Sequence, residues 1–79
     1  MLNRQSLLPI ILAALRTSGG SARMRDIAKY IWDNYQTELK RSGEFFCVWQ
    51  YDLRWAGDAL VRQRKIKKGP PQGVWHLAN

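Results

Sequence analysis

The side chains that enzymes use most often for catalysis are scarce in this chain. Its 79 residues include one histidine, His76, and one cysteine, Cys47. A zinc site needs about four ligands, so these two residues are too few to hold a metal ion. The sequence also lacks a glycine-rich phosphate loop and a pair of carboxylates at a convincing catalytic spacing. We therefore predict no enzymatic activity, no metal and no cofactor, and a buried, unreactive Cys47.

The second kind of chemistry that the sequence offers is electrostatic. Thirteen Lys and Arg residues against six Asp and Glu residues give a formal charge of +7. No acid follows Asp58, whereas five of the basic residues lie between Arg62 and Lys68. Gathered like charges repel one another and oppose folding. The cluster is therefore either a solvated face or a surface that binds a polyanion, such as nucleic acid or an anionic lipid surface.

Length and composition limit the architecture to one small domain, residues 1–79. Apolar residues make up 46% of the chain, enough for a packed core. The longest apolar run, residues 7–15, contains a proline and is too short to cross a bilayer. A signal-peptide cleavage site is missing, and a lone cysteine fits a reducing compartment. These observations predict a cytoplasmic protein without a membrane segment.

Hydrophobic periodicity predicts three amphipathic helices. The first spans about residues 6–17 with Ser6 as its N-cap, the second about 25–39, and the third about 47–63. Gly57 lies inside the third helix, where it would allow a close helix crossing. The apolar stripe of the first helix comprises Leu7, Leu8, Ile11, Leu12 and Leu15. The four tryptophans are predicted to be mostly structural.

The end of the chain changes from a helical to an alternating pattern. Residues 64–77 alternate on both sides of a run of turn-forming residues, 69–73, which predicts a β-hairpin. A lone hairpin is marginally stable, so it must pack on the helices or pair with the short extended segment 21–24. The resulting order, α-(β)-α-α-β-β, is that of a winged helix-turn-helix, a mainly α fold with a small β-hairpin (α+β).

A few residues also indicate a family. The string Leu53-Arg54-Trp55-Ala56, then Leu60, Ile66 and Gly73-Val74-Trp75-His76-Leu77, resembles the N-terminal winged-helix domain of Mrr-type restriction endonucleases. The resemblance covers most of the chain and depends chiefly on Trp55-Ala56 and the Gly73-x-Trp75-x-Leu77 pattern. It implies a DNA-binding module, often attached to a separate nuclease domain. The chain ends at Asn79 without such a domain, so cleavage is not carried over, and both an isolated module and a stand-alone binder stay open.

A winged helix that binds double-stranded DNA would place its third helix in the major groove and its hairpin, the wing, against the backbone. The residues predicted to contact bases are Gln50, Tyr51 and Arg54. Arginine commonly pairs with guanine, and glutamine with adenine. The residues predicted to contact the DNA backbone are Arg23, Arg25, Lys29, Arg62, Arg64, Lys65, Lys67 and Lys68. For each of them, a solvated surface position is the alternative.

A different class of function is compatible with the same fold. Winged helices also serve as protein–protein interaction or dimerisation modules, and a fold does not determine a function. Exposure of Tyr30, Tyr35 or Phe45 in an apolar patch would favour that alternative, including a homodimer. Binding to structured RNA would use the same charges and is not separable from DNA binding by sequence.

Overall fold

The structure is a computed structural model that describes residues 1–78. These residues form three α-helices and three β-strands: α1 (Leu7–Thr17), β1 (Ser21–Arg23), α2 (Met24–Lys40), α3 (Phe45–Arg62), β2 (Ile66–Lys68) and β3 (Val74–Leu77). The predicted winged helix-turn-helix layout is confirmed, and each predicted helix end lies within two residues of its position in the structure.

The three strands make one antiparallel sheet in the order β1-β3-β2. The central strand is therefore the last in the sequence, and it pairs with both edges. Trp75 of β3 lies opposite Ala22 of β1 on one side and opposite Lys68 of β2 on the other. Pairing with β1 therefore stabilises the hairpin, which would be only marginally stable on its own.

The first helix begins differently from the prediction. A single 3₁₀ turn, Arg4–Ser6, precedes α1, and Asn3 caps it. The Asn3 Oδ1 accepts hydrogen bonds from the backbone N–H groups of Gln5 and Ser6, at 2.9 and 3.2 Å. The Ser6 hydroxyl accepts a hydrogen bond from the Asn3 N–H at 3.1 Å. Ser6 occupies the N-cap position of α1 as predicted, but its side chain makes no cap hydrogen bond to α1 and is instead the far member of a reciprocal capping box that starts at Asn3.

One hydrophobic core joins all three helices to the sheet. Its largest fully buried side chains are Leu7, Ile11, Leu15, Ile27, Ile31, Leu39, Leu53, Leu60 and Ile66. On α1, Ile10 and Ala14 are buried while Leu8 and Leu12 are only partly so, which differs from the predicted stripe. The difference arises because α1 packs against β3 as well as against α2 and α3.

A buried hydroxyl ties the beginning of the chain to the turn between α2 and α3. Ser42 is 5% exposed, and its Oγ accepts a hydrogen bond from the Leu2 N–H at 2.9 Å. The same Oγ donates to the Glu38 carbonyl at 2.5 Å. One side chain therefore links the turn both to the beginning of the chain and to the end of α2.

The close contact at Gly57 is with the sheet and not with another helix, so the predicted helix crossing is wrong. A Cβ built on Gly57 would overlap the six-membered ring of Trp75, a buried residue of β3. The absence of a side chain at this position lets the indole lie directly on the backbone of α3. This contact sets how closely the wing approaches the third helix.

We predict that Gly57→Ala destabilises the protein by about 1–3 kcal/mol, because the added methyl displaces the Trp75 ring from a close-packed site. In an unobstructed helix the same change would be stabilising by about 1 kcal/mol. Thermal unfolding followed by circular dichroism measures the effect. Combining the change with Trp75→Phe should cost less than the sum of the two single changes. A more stable Gly57→Ala protein would contradict the contact.

Candidate nucleic-acid interface

The exposed side of α3 carries the three residues predicted to contact bases. Gln50, Tyr51 and Arg54 are all exposed, and their spacing places them on one side of the helix. Tyr51 is 82% exposed, which is high for an aromatic side chain and leaves its ring free to bind. Cys47 lies one turn earlier on the same side and is exposed, so the prediction of a buried thiol is wrong.

The start of α2 continues this surface. Met24 shares a shallow depression with Gln50, Tyr51 and Arg54. Arg25 and, one turn further along α2, Lys29 line a neighbouring cleft together with Gln50. Two of the predicted backbone contacts are thus brought beside the predicted base contacts, although Arg25 and Gln50 are 25 positions apart in the sequence.

Lys29 is engaged in a local ion pair. Its Nζ donates to the Asp33 Oδ2 at 2.6 Å, and this hydrogen bond, followed by the charge of Asp33, raises the pKa of Lys29. Both side chains are largely exposed, and such pairs contribute little to stability. A phosphate could therefore replace Asp33 as the partner of Lys29 at small cost.

Asp58 is the centre of a second charged group, which links α3 to the wing. Lys68 of β2 donates a hydrogen bond to the Asp58 carboxylate. That bond, with the positive charges of Lys68, Arg62 and Arg54, lowers the pKa of Asp58. Lys68 also lies 4.9 Å from the centroid of the Trp75 ring. Three predicted contact residues therefore surround one carboxylate at the junction of helix and wing.

Strand alternation separates the two lysines of β2. Lys68 faces α3, as does the buried Ile66, whereas Lys67 lies opposite His76 on the other face of the sheet. The His76 Nε2–H is positioned to donate to the Pro70 carbonyl, 2.8 Å away, which ties the strand to the wing loop. Lys67 is thus directed away from the cluster around Asp58.

The remaining predicted backbone contacts lie at the ends of the sheet and of α3. Arg23 is exposed on the edge strand β1. Arg64 and Lys65 follow α3, where the Arg64 N–H bonds to the Val61 carbonyl and the Lys65 N–H to the Leu60 carbonyl, each at 2.9 Å. This is a Schellman motif, and it holds Arg64 at a positive φ of 61°. The same motif ends α1 with a glycine, Gly19, at that position.

Two aromatic side chains that pair across α2 and α3 are partly open to solvent. Trp32 of α2 is half-buried and Phe46 of α3 is 38% exposed. Their ring centroids are 6.4 Å apart with an interplanar angle of 24°. Trp49 and Trp75 are buried as predicted, and Trp55 is half-buried beneath the Arg4 guanidinium. Sequence periodicity alone could not reveal the Trp32–Phe46 pair, because it forms across two helices.

The apolar patch that would favour a protein-interaction module is not formed by the residues predicted for it. Phe45 is buried, and Tyr30 and Tyr35 are half-buried against the core. Within residues 1–78, no group of three or more potential ligands is arranged to hold a metal ion. None of the helices described is long and apolar enough to cross a membrane.

Comparison with known proteins adds no relative to these observations. No protein-family model matches the chain, and no curated protein or solved structure is significantly similar to it.

We predict that Asp58→Asn lowers the free energy of unfolding at pH 7 by less than about 1 kcal/mol, since the paired side chains are 32% and 55% exposed. The pKa of Asp58 in the folded protein lies below its ordinary value of 3.8, so the pair stabilises the fold above about pH 4. This stabilisation is lost as the pH falls through the folded-state pKa. Urea unfolding should show a difference from the native protein that is largest at pH 7 and shrinks as the pH is lowered below about 4. Glu38→Gln, an exposed acid outside the described ion pairs, serves as the control.

We predict that Arg64→Gly raises the free energy of unfolding by about 0.5–1 kcal/mol, because glycine adopts a positive φ without the steric cost of a Cβ. Arg64→Ala keeps the Cβ and should leave stability nearly unchanged. Urea unfolding of both variants measures the difference. Equal stabilisation by both would instead assign the effect to relief of charge repulsion.

Proposed function

We propose that this protein binds double-stranded DNA, with α3 in the major groove and the wing against the backbone. The single observation that carries the proposal is the convergence of cations and exposed polar side chains from α2, α3 and β2 on one side of the molecule. Gln50, Tyr51 and Arg54 form the middle of this surface. Arg25 and Lys29 flank it on the side of α2, and Lys68 flanks it on the side of the wing.

The dimensions of α3 suit this role. Its 18 residues make a rod of roughly 27 Å, and the B-DNA major groove admits one α-helix. Arg54 has the donor fork for a guanine edge, and Gln50 has the donor and acceptor pair for an adenine edge. The exposed phenol of Tyr51 can donate to a phosphate or stack on a sugar.

The ion pairs on this surface fit exchange with phosphate. Lys68 and Lys29 each have a carboxylate partner in the free protein. Their exposure makes both pairs weak, so a phosphate can take the place of Asp58 or Asp33. Arg62, Arg64, Lys65 and Arg23 would add backbone contacts that carry no sequence information, whereas Lys67 lies on the other face of the sheet and would contact only phosphates that pass the wing loop.

We further propose, from the resemblance of the Trp55-Ala56 and Gly73-x-Trp75-x-Leu77 patterns to Mrr-type N-terminal domains, that this DNA-binding unit serves a restriction-type or regulatory protein of the cytoplasm. The alternative is a winged-helix protein-interaction or homodimerisation module. The burial of Phe45 and the half-burial of Tyr30 and Tyr35 weigh against that alternative.

The proposal predicts salt-sensitive binding to a labelled duplex of random sequence. If about five phosphates are neutralised, the logarithm of the affinity should fall with the logarithm of the salt concentration at a slope of about −4 to −5. Fluorescence anisotropy at several salt concentrations measures the slope. Changing Arg64, Lys65, Lys67 and Lys68 together to alanine should remove most of the binding.

A matched pair of single variants tests the location of the interface. Arg62 and Arg16 both lie in the last turn of a helix, α3 and α1 respectively. Arg62→Ala should reduce the salt slope by about one unit, whereas Arg16→Ala should leave it unchanged. Equal effects would indicate non-specific attraction to net charge. Absence of binding even at low salt, together with self-association in sedimentation, would favour the protein-interaction alternative.

A further inference from the structure

An open cleft lies between α2 and α3, directly beside the surface proposed for DNA. Ala28 and Trp32 of α2 form one wall, and Phe46 and Trp49 of α3 form the other. Its volume is about 520 Å³. The Trp32 and Phe46 rings stack on each other, and both are partly exposed and line the cleft, so aromatic surface is open to a ligand there.

The rim of this cleft is cationic. Arg25 and Lys29 line it on the side of α2, and no acidic residue is among its lining residues. The Lys40 ammonium lies 5.8 Å from the centroid of the Trp32 ring. Gln50 belongs both to this cleft and to the depression that it shares with Tyr51 and Arg54. The cleft is therefore continuous with the surface proposed to read the duplex.

We propose that this cleft binds an unpaired nucleobase of a strand that continues beyond the duplex, so that the protein prefers a double-strand to single-strand junction. The inference rests on the proposed function. Bases of any kind stack on aromatic rings, and a cationic rim holds the adjoining phosphates. The Trp32–Phe46 pair supplies the stacking surface, and Arg25 and Lys29 supply the cations.

The combination of flat rings and positive charge is what selects this ligand. A neutral apolar peptide would cover the rings but would offer no anionic group to Arg25 at the rim. A phosphodiester strand matches both parts of the cleft, and Gln50 at the shared border places the cleft within reach of a strand that leaves the major-groove surface. An acidic protein segment with an apolar anchor is the competing occupant.

Three DNA probes test the proposal: a blunt duplex, the same duplex with an overhang of four thymidines, and the same duplex with four abasic nucleotides. The abasic overhang carries the same phosphates without bases. We expect the thymidine overhang to bind about tenfold tighter than the abasic one, from the stacking of one base. Phe46→Ala should abolish this difference while leaving the affinity for the blunt duplex nearly unchanged.

Val48→Ala is the matched control. Val48 lies in the same turn of α3 as Phe46 and has a similar exposure, 41% against 38%, but it is outside the residues that line the cleft. It should preserve the preference for the thymidine overhang. Circular dichroism of both variants verifies the fold.

Equal affinity for the thymidine and abasic overhangs, with the blunt duplex still bound, would overturn this inference and leave the proposed function intact. A Phe46→Ala variant that weakens all three probes equally would also overturn it. Failure of the native protein to bind any of the three would overturn both proposals.

Discussion

The packing of Trp75 on the backbone of α3 at Gly57 is the contact on which the rest of the structure depends. Trp75 lies on the central strand, so its position fixes both edge strands at once. The missing side chain at Gly57 allows the indole to reach the helix backbone, which joins the sheet rigidly to α3. Lys68 is held over the same ring and against Asp58. The relative placement of wing and third helix thus follows from one aromatic contact.

The surface beside this contact carries less free positive charge than the composition suggests. A net charge of +7 describes the whole chain, whereas Lys29 and Lys68 are already compensated by neighbouring carboxylates. A carboxylate at the middle of a cationic surface keeps its cations oriented and limits indiscriminate attraction to polyanions. Such a surface binds a ligand whose phosphates match the positions of the cations more tightly than a ligand of equal total charge whose phosphates do not.

Local patterns were sufficient to predict the helices, the hairpin and the exposure of Gln50 and Arg54, because helical and strand periods determine which side chains face the core. The error at Cys47 is local, whereas those at Gly57 and Trp32 concern contacts between distant residues. Cys47 was expected to be buried because its sequence neighbours are apolar, yet it lies on the outer side of α3. The partner of Gly57 and the pairing of Trp32 with Phe46 depend on tertiary packing, which periodicity does not encode.

Through the hydroxyl of Ser42, the conformation of the turn between α2 and α3 depends on a hydrogen bond to the beginning of the chain. Its hydrogen bond to the Leu2 N–H joins residues 40 positions apart and encloses α1, β1 and α2. Closing so long a loop carries an entropic cost that must be met before the bond can form. The final geometry of the turn is therefore expected to be acquired late in folding, after α1 has docked, so that the helix-turn-helix unit is completed by a segment outside it.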